Sequence, residues 1–422
     1  MKKLADDCFV HDKDRMKHAE AIALLRERMA PMATTETMAL EEASGRILAN
    51  DVTAPRNIPA FDNTAVDGYA FAHADHEPTG GFFPIATRIA AGETSDIELP
   101  GFSAARIFTG ARMPEGADTI AMQEDCETHE QDGTSFVVIP GGLKKGANCR
   151  LAGEDVKTGD MVCEAGSRLR PQYLAAIAST GAATVSVFKP LRIGLISSGD
   201  EILRPGETYE TGKVYDSNTF MLRALLAELG AETTDLGVCP DEAGELETLL
   251  QKAASDHDVI ISTGGASKGE EDHFVNSLEK LGKCHLWQLA VKPGRPMSFG
   301  QIGDTPCFTL PGNPVAAFVC FLLYVRPSLD VLAGGTWREP QRYPLPAGFS
   351  IKSKPDRREF LRGFMGKDQS DNTVAKKFER DGSGLITGLR AASGLIEIAE
   401  DRTDVSEGDL VDFIPFSEFG II

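Results

Sequence analysis

Apolar and polar positions along the chain recur with two different periods, and the switch from one to the other divides it into units. His18 to Met29 carries Ile22, Leu25 and Met29 on one stripe, the spacing of an amphipathic helix, and Pro31 marks its end. From about Asn57 to Arg150 the texture becomes short apolar runs separated by Gly, Pro and Asp: Phe82–Ile85, Ala105–Phe108, Thr119–Met122 and Ser135–Ile139. That is the pattern of a small β domain. Leu174–Ser179 and Thr184–Phe188 read as a helix and a strand that return to pack on the first helix, which makes the β unit an insertion.

From Leu191 onward strands and helices alternate. Leu191–Ile196, Thr233–Cys239, Val259–Ser262, Leu286–Val291 and Pro306–Leu310 are expected as strands. Thr219–Leu229, Ala243–Ala254, Asp272–Leu281 and a segment from Pro314 are expected as helices. Such repetition implies a doubly wound, mostly parallel α/β sheet with helices on both faces. The tail is β-like again at Glu359–Phe364, Leu395–Ala399 and Leu410–Ile414, and reads as a closing, barrel-like β domain. The expected organisation is therefore 1–56 with 151–188 as an N-terminal α/β linker domain and 57–150 as the inserted β domain. Residues 189–335 form the α/β domain and 336–422 the C-terminal β domain, a division that 422 residues can support.

Composition narrows the function. With 42% hydrophobic and 25% charged residues the chain is ordinary globular protein. Its 43 basic and 63 acidic side chains give a net charge of -20, which repels a phosphate backbone, so nucleic acid is not an expected partner. The longest apolar run, Val315–Val325, falls short of the roughly 20 residues of a membrane span. It is expected to be a core helix closed by Arg326-Pro327, with no membrane involved. Met1–Asp14 has no apolar stretch of the kind a secretory signal needs, and the eight cysteines show no CxxC pair. Free thiols in a reducing, cytoplasmic setting follow as the expectation.

In an open α/β sheet, ligands bind outside the carboxyl ends of the strands, so chemistry is sought in the loops there. Gly264, Gly265, Ser267, Lys268 and Gly269 form a glycine-rich turn before a helix, where backbone N–H groups can approach an anion. Pro311, Gly312, Asn313 and Pro314 start a second helix at the same edge, and Lys292 and Arg295 put two cations on a stiff loop. Taken singly, each reads equally well as a tight turn, a helix cap or solvated charge. Acids of opposite sign follow three strands: Asp200-Glu201, Asp241 and Asp272. Carboxylates beside an anion site need a cation between them, and Mg²⁺ is the cofactor that suits carboxylate plus phosphate ligation. A calcium loop from Asp62 is excluded because its twelfth position is His73.

Together with Phe61-Asp62-Asn63-Thr64-Ala65-Val66-Asp67-Gly68-Tyr69-Ala70, these loops resemble the molybdopterin molybdenumtransferase family, which is related to the C-terminal domain of gephyrin. Arg106–Ala111, Gly153-Glu154-Asp155, Ser198–Glu201 and Tyr215–Asn218 extend the likeness in order from about residue 18 to the end. The resemblance implies an elongated homodimer whose cleft forms between the β insertion of one subunit and the α/β domain of the other. It implies adenylylated molybdopterin and molybdate as substrates, AMP and the finished cofactor as products, and assistance by Mg²⁺. Molybdopterin adenylyltransferase and molybdoenzyme recipients are implied as further partners.

By position, the catalytic set falls on Asp67, Thr109, Asp155, Asp272 and Lys292, the metal acids on Glu201 and Asp241, and the family's loop prolines on Pro311 and Pro314. Asp67 and Thr109 are the expected contacts for molybdate or pterin. The chain departs from the family at Gln288, where lysine is common, at Leu151-Ala152, where basic residues are frequent, and at Lys268, where valine is usual. Lys268 is a candidate to replace the anion contact that Gln288 lacks. Two other functions share the α/β domain: nucleotidyl transfer as in molybdopterin adenylyltransferase, and a scaffold without catalysis. The β insertion argues against the first and the retained acids against the second.

Overall fold

The computed structural model describes residues 15–93, 97–239, 243–265, 273–380 and 382–421. At its centre lies a six-stranded sheet in the order Glu232–Cys239, Arg192–Ser198, Val259–Thr263, Thr305–Leu310, Ser298–Ile302, Lys283–Trp287. The first four strands are parallel, and Ser298–Ile302 runs antiparallel to both its neighbours. The pleat sends alternate side chains to opposite faces, which is why the sheet is covered twice. Ile193, Leu195, Val259, Ile261, Phe308 and Leu310 join the helix Asn218–Glu228 and the long helix from Pro314 in one core. Ile196, Ile260 and Cys307 join the helices Ala243–Asp256 and His273–Leu281 in another.

Four points depart from the sequence reading, three of them corrections of an expectation and one, Ser298–Ile302, a strand that was not expected. Leu286–Val291 is not one strand: Lys283–Trp287 edges the central sheet, Gln288 turns through φ +63, and Val291–Lys292 pairs with Arg358–Lys367 of the C-terminal sheet. Its continuous apolar run hides this break, because both halves are buried. Ser298–Ile302 is a strand with no clear alternation in sequence; Gly300 sits where an added Cβ would lie 2.3 Å from the Lys283 carbonyl, so the neighbouring strand demands glycine. Arg326-Pro327 does not end the apolar helix. Phe321–Val325 forms a π turn and Arg326–Leu332 continues as α-helix, the widened turn sparing the clash that a proline ring makes with the preceding turn. The resulting helix, Pro314–Leu332, is long and apolar enough to cross a membrane but is 83% buried as the core of this domain.

The fourth point concerns the first helix, His18–Arg28. Its Ala21 and Leu25, with Met29 just beyond it, lie in the core of the α/β domain, not against Leu174–Ser179. What pairs with Thr184–Phe188 is the strand Thr35–Ala39, and Val52–Thr53 pairs with Met161–Cys163. The β insertion leaves this unit through the pair Asn63–Thr64 and Cys149–Arg150. Inside it, Gly68–Phe71 is flanked by Thr119–Met122 and Ala104–Ile107 in a second six-stranded sheet. In the C-terminal unit, Arg358–Lys367, Gly394–Ile398, Leu410–Pro415 and Tyr343–Pro346 follow one another. Thr373–Lys377 pairs back on Arg358–Lys367, and the bridge from Ala375 to Ala347 brings the ends together as a small barrel.

Candidate functional site

Three parallel strands end at one edge, and the loops that leave them line a cleft of about 860 Å³. Ser198-Gly199 follows the first, Thr263-Gly264-Gly265 the second, and Pro311–Pro314 the third. Gly264 is required there: its φ is +89 and a Cβ would meet the Ser198 carbonyl at 2.1 Å. Asn218 laces two of the loops, donating through Nδ2 to Thr263 Oγ1 and to the Gly312 carbonyl, each at 2.7 Å. Its Oδ1 is buried in the cleft lining with no partner among the described residues. Such an orphaned acceptor is unusual in a folded interior and fits a ligand or cation that completes it.

The acids divide by role. Glu201 is exposed in the cleft, its carboxylate set against Gly199, where an added Cβ would lie 2.5 Å from Oε2. Asp216 also lines the cleft but is spent on structure. It accepts from Ser197 at 2.5 Å and from the Thr219 hydroxyl at 2.8 Å, and pairs with Arg204 at 3.2 Å. Asp241, Ser267, Lys268, Gly269 and Asp272 lie outside the described residues. Gln288 lines neither this cleft nor its neighbour.

That neighbour is a pocket of about 410 Å³, which shares Pro296, Pro311 and Asn313 with the cleft. Lys292 and Arg295 enter it from the α/β domain, and Arg15 from the N-terminal segment. Arg357, Arg362, Lys377 and Arg380 enter it from the C-terminal barrel, and no carboxylate is among its described lining residues. Lys292 Nζ donates to Glu359 at 3.1 Å, and Glu359 also accepts from Arg357 at 2.5 Å and Ser353 at 2.9 Å. Burial alone would raise the Glu359 pKa; those three bonds outweigh it and hold the carboxyl below its ordinary range. Sequence reasoning found Lys292 and Arg295 and missed the barrel's cations, although Arg357-Arg358, Arg362, Lys376-Lys377 and Arg380 are a dense basic run in an acidic chain.

Asp67 and Thr109 meet on the β insertion. Asp67 Oδ1 accepts from the Thr109 backbone N–H at 2.8 Å and from its hydroxyl at 2.7 Å, which lowers the carboxyl's pKa, the backbone bond contributing most. Beside them Arg106 lies over the Phe108 ring at 4.5 Å and over Tyr69 at 5.1 Å. Asp155 is exposed just after the insertion, its backbone N–H donating to the Ile58 carbonyl at 3.2 Å. None of these three residues, nor any other from 57–155, is among the described residues lining the cleft or the basic pocket. Within one chain, the described members of the expected catalytic set are thus not gathered: Lys292 lines the basic pocket, and Asp67, Thr109 and Asp155 line neither cavity.

Residues 16–181 match the family description "MoeA N-terminal region (domain I and II)", residues 194–331 "Probable molybdopterin binding domain", and residues 344–416 "MoeA C-terminal region (domain IV)". The molybdopterin molybdenumtransferase of Haemophilus influenzae is 36% identical over 399 residues, spanning 94% of this chain and 98% of its own. That of Bacillus subtilis is 36% identical over 303 residues, 70% of each chain. A solved molybdopterin biosynthesis moeA protein from Pyrococcus horikoshii OT3 superposes with a TM-score of 0.81 at 28% identity, over 95% of this chain and 100% of the other. A chain that shares all three regions, their order and this identity over nearly its whole length belongs to the molybdopterin molybdenumtransferase family.

Proposed function

We propose that this protein inserts molybdenum from molybdate into adenylylated molybdopterin, releasing AMP and the finished cofactor. The observation that carries the reading is the sharing of Pro296, Pro311 and Asn313 between two cavities of opposite character. A reaction that joins an oxyanion to a large phosphate-bearing ligand needs the two side by side. The glycine loops and the start of the Pro314 helix suit the phosphates, since backbone N–H groups at helix starts favour anions. The basic pocket suits molybdate. Attack by an oxygen of molybdate or water would cleave the phosphoanhydride of the adenylylated ligand and release AMP, and Lys292, which lines the basic pocket beside the shared loops, is the residue we assign to stabilise the departing charge.

The residues present fit Mg²⁺. Glu201 and the unpartnered Asn218 Oδ1 are hard oxygen donors in one cleft, and no group of three or more His, Cys, Asp or Glu gathers among the described residues. That is a donor set for an ion held by one or two carboxylates together with substrate phosphate and water. Glu201 would hold it, with Asp241 as second ligand, and the ion would supply charge neutralisation at the phosphates. The separation of Asp67, Thr109 and Asp155 from the cleft supports a homodimer in which the insertion of a second copy completes each site. The seven described cysteines form no disulfide, which accords with a cytoplasmic protein.

The test supplies adenylylated molybdopterin, molybdate and Mg²⁺ and measures AMP. Release that depends on molybdate is expected, and release that is equally fast without it would overturn the assignment. Glu201→Gln should raise the Mg²⁺ concentration needed for half-maximal rate; an unchanged requirement would remove Glu201 from the metal site. Mixing Asp67→Asn chains with Glu201→Gln chains should restore activity through one intact site in the mixed dimer, whereas no recovery would argue that each chain is self-sufficient.

A further inference from the structure

A second cluster of cations lies far from the cleft, roughly 18 Å further along the Pro314–Leu332 helix at 1.5 Å per residue. Arg326 of that helix, Arg168 and Arg170 of the linker domain, and Arg338 of the segment entering the barrel surround a cavity of about 260 Å³. Among the described residues it shares no lining residue with either cavity of the candidate site. Four guanidiniums from three separate parts of the chain are brought to one small space, against the mutual repulsion of like charges.

The acids of the same lining do not neutralise them all. Asp330 is taken by Arg168 at 2.8 Å, and Arg168 also donates to the carbonyls of Gly45 and Leu229. Glu339 faces Arg26 at 3.5 Å and Arg342 at 3.9 Å, while Glu418 accepts from the Gln341 N–H and the Tyr343 hydroxyl. Arg170, Arg326 and Arg338 have no carboxylate partner among the described residues. Arg170 and Arg338 are exposed and open to solvation, but Arg326 is largely enclosed, its guanidinium 5.8 Å from the Phe419 ring. Burial, aided by the neighbouring arginines, lowers its pKa even against the charge of Asp330, which acts to raise it. Its planar fork of five N–H donors, which no described carboxylate or carbonyl engages, is shaped to grip an anion bidentately.

We propose that this cavity binds a phosphate-class dianion, inorganic phosphate or a small phosphomonoester, clamped by Arg170, Arg326 and Arg338 at the junction of linker domain, α/β domain and barrel. An occupant would tie together three segments at this point. The chain has two tryptophans, and Trp337 adjoins Arg338, so its fluorescence reports the site in a Trp287→Phe background. Titration with inorganic phosphate, against sodium chloride at matched ionic strength, should give a saturable change. Arg170→Ala and Arg338→Ala, both exposed positions whose loss should leave the fold intact, should each weaken it about tenfold. Lys292→Ala should leave it unchanged. A signal no different from that of chloride, or one that survives both arginine variants, overturns the proposal. So does a signal lost in Lys292→Ala and kept in Arg338→Ala, because phosphate would then be reporting the basic pocket.

Discussion

Glu359 holds two cations, and it holds them unequally. Its carboxylate is 1% exposed and accepts from Arg357 at 2.5 Å and from Lys292 at 3.1 Å. The Lys292 side chain is 43% exposed, that of Arg357 25%. Solvent-screened ion pairs contribute about 0.2–1 kcal/mol, and less hydrated charged hydrogen bonds about 1.5–3 kcal/mol. In double-mutant cycles, Glu359 with Lys292→Met should therefore show a coupling of about 0.5 kcal/mol and Glu359 with Arg357→Met about 2 kcal/mol. Glu359→Gln alone should cost roughly 2–4 kcal/mol, because two donors lose a buried acceptor charge. Urea unfolding of the full chain measures all three. The pH dependence has a definite sign: the Glu359 pKa is held below its ordinary 4.5, so the carboxylate stabilises above that value and the benefit is lost as pH falls through the folded-state pKa. The Glu359→Gln penalty should shrink in acid. A Lys292 coupling as large as that of Arg357, or a penalty that persists undiminished in acid, would refute the claim that Lys292 is loosely held and free to turn to an incoming anion.

Three further outcomes are expected. Gly264→Ala should lower stability by about 1–3 kcal/mol and abolish AMP release, while Gly312→Ala, whose added Cβ would meet nothing closer than 3.8 Å, should fold normally; equal effects in thermal unfolding would show that the close approach of the Gly264 loop is not real. Thr109→Val should raise the Asp67 pKa toward 3.8, read by carboxyl carbon NMR titration, and an unmoved titration would deny the hydrogen bond its role. His18, buried against Tyr324 with Nδ1 2.8 Å from the hydroxyl, has its pKa lowered from 6.5 to about 4, chiefly by burial, so roughly 3 kcal/mol of stability should be lost as pH falls through that window. His18→Gln should flatten that slope in urea midpoints measured across it, and an equally steep slope would assign the acid sensitivity elsewhere.

Much of the fold was legible because it follows from periodicity. The buried strands of the central sheet read as apolar runs and the helices between them as stripes, while the glycine loops stood out only when taken together at one sheet edge, since each alone reads equally well as a tight turn. What escaped depended on contacts between distant segments. Nothing local distinguishes Val291–Lys292 from the end of a strand in its own sheet, since its partner, Arg358–Lys367, begins more than sixty residues later. The first helix is amphipathic whichever core it joins. Its place in the α/β domain rather than the linker unit is set by the shared core with Phe321 and Val325 of the long helix, not by its own sequence. The cleft acids show the same limit: Glu201 and Asp216 both follow the first strand, but only burial separates the carboxylate that faces solvent from the one consumed by Ser197, Thr219 and Arg204.

The strand exchange at Val291–Lys292 also bears on how the two cavities are kept adjacent. Lys292 is in register with Glu359, and Glu359 fixes Arg357, so one cation from the α/β domain and one from the barrel are set against a single buried carboxylate. Across the pocket, the Val315 N–H donates to the Ser383 carbonyl at 3.0 Å, fastening the start of the long helix to the barrel. Four of the seven pocket cations come from the barrel, and the Pro311–Pro314 loop that divides the pocket from the cleft comes from the α/β domain. On the proposed function, an α/β domain without the barrel would retain the glycine loops, Glu201 and Asn218 assigned to the phosphates and metal, but would lack four of the seven described cations assigned to the second anion. On that proposal the barrel has a definite part: it would supply the charge that brings an oxyanion to a ligand whose phosphates the α/β domain holds.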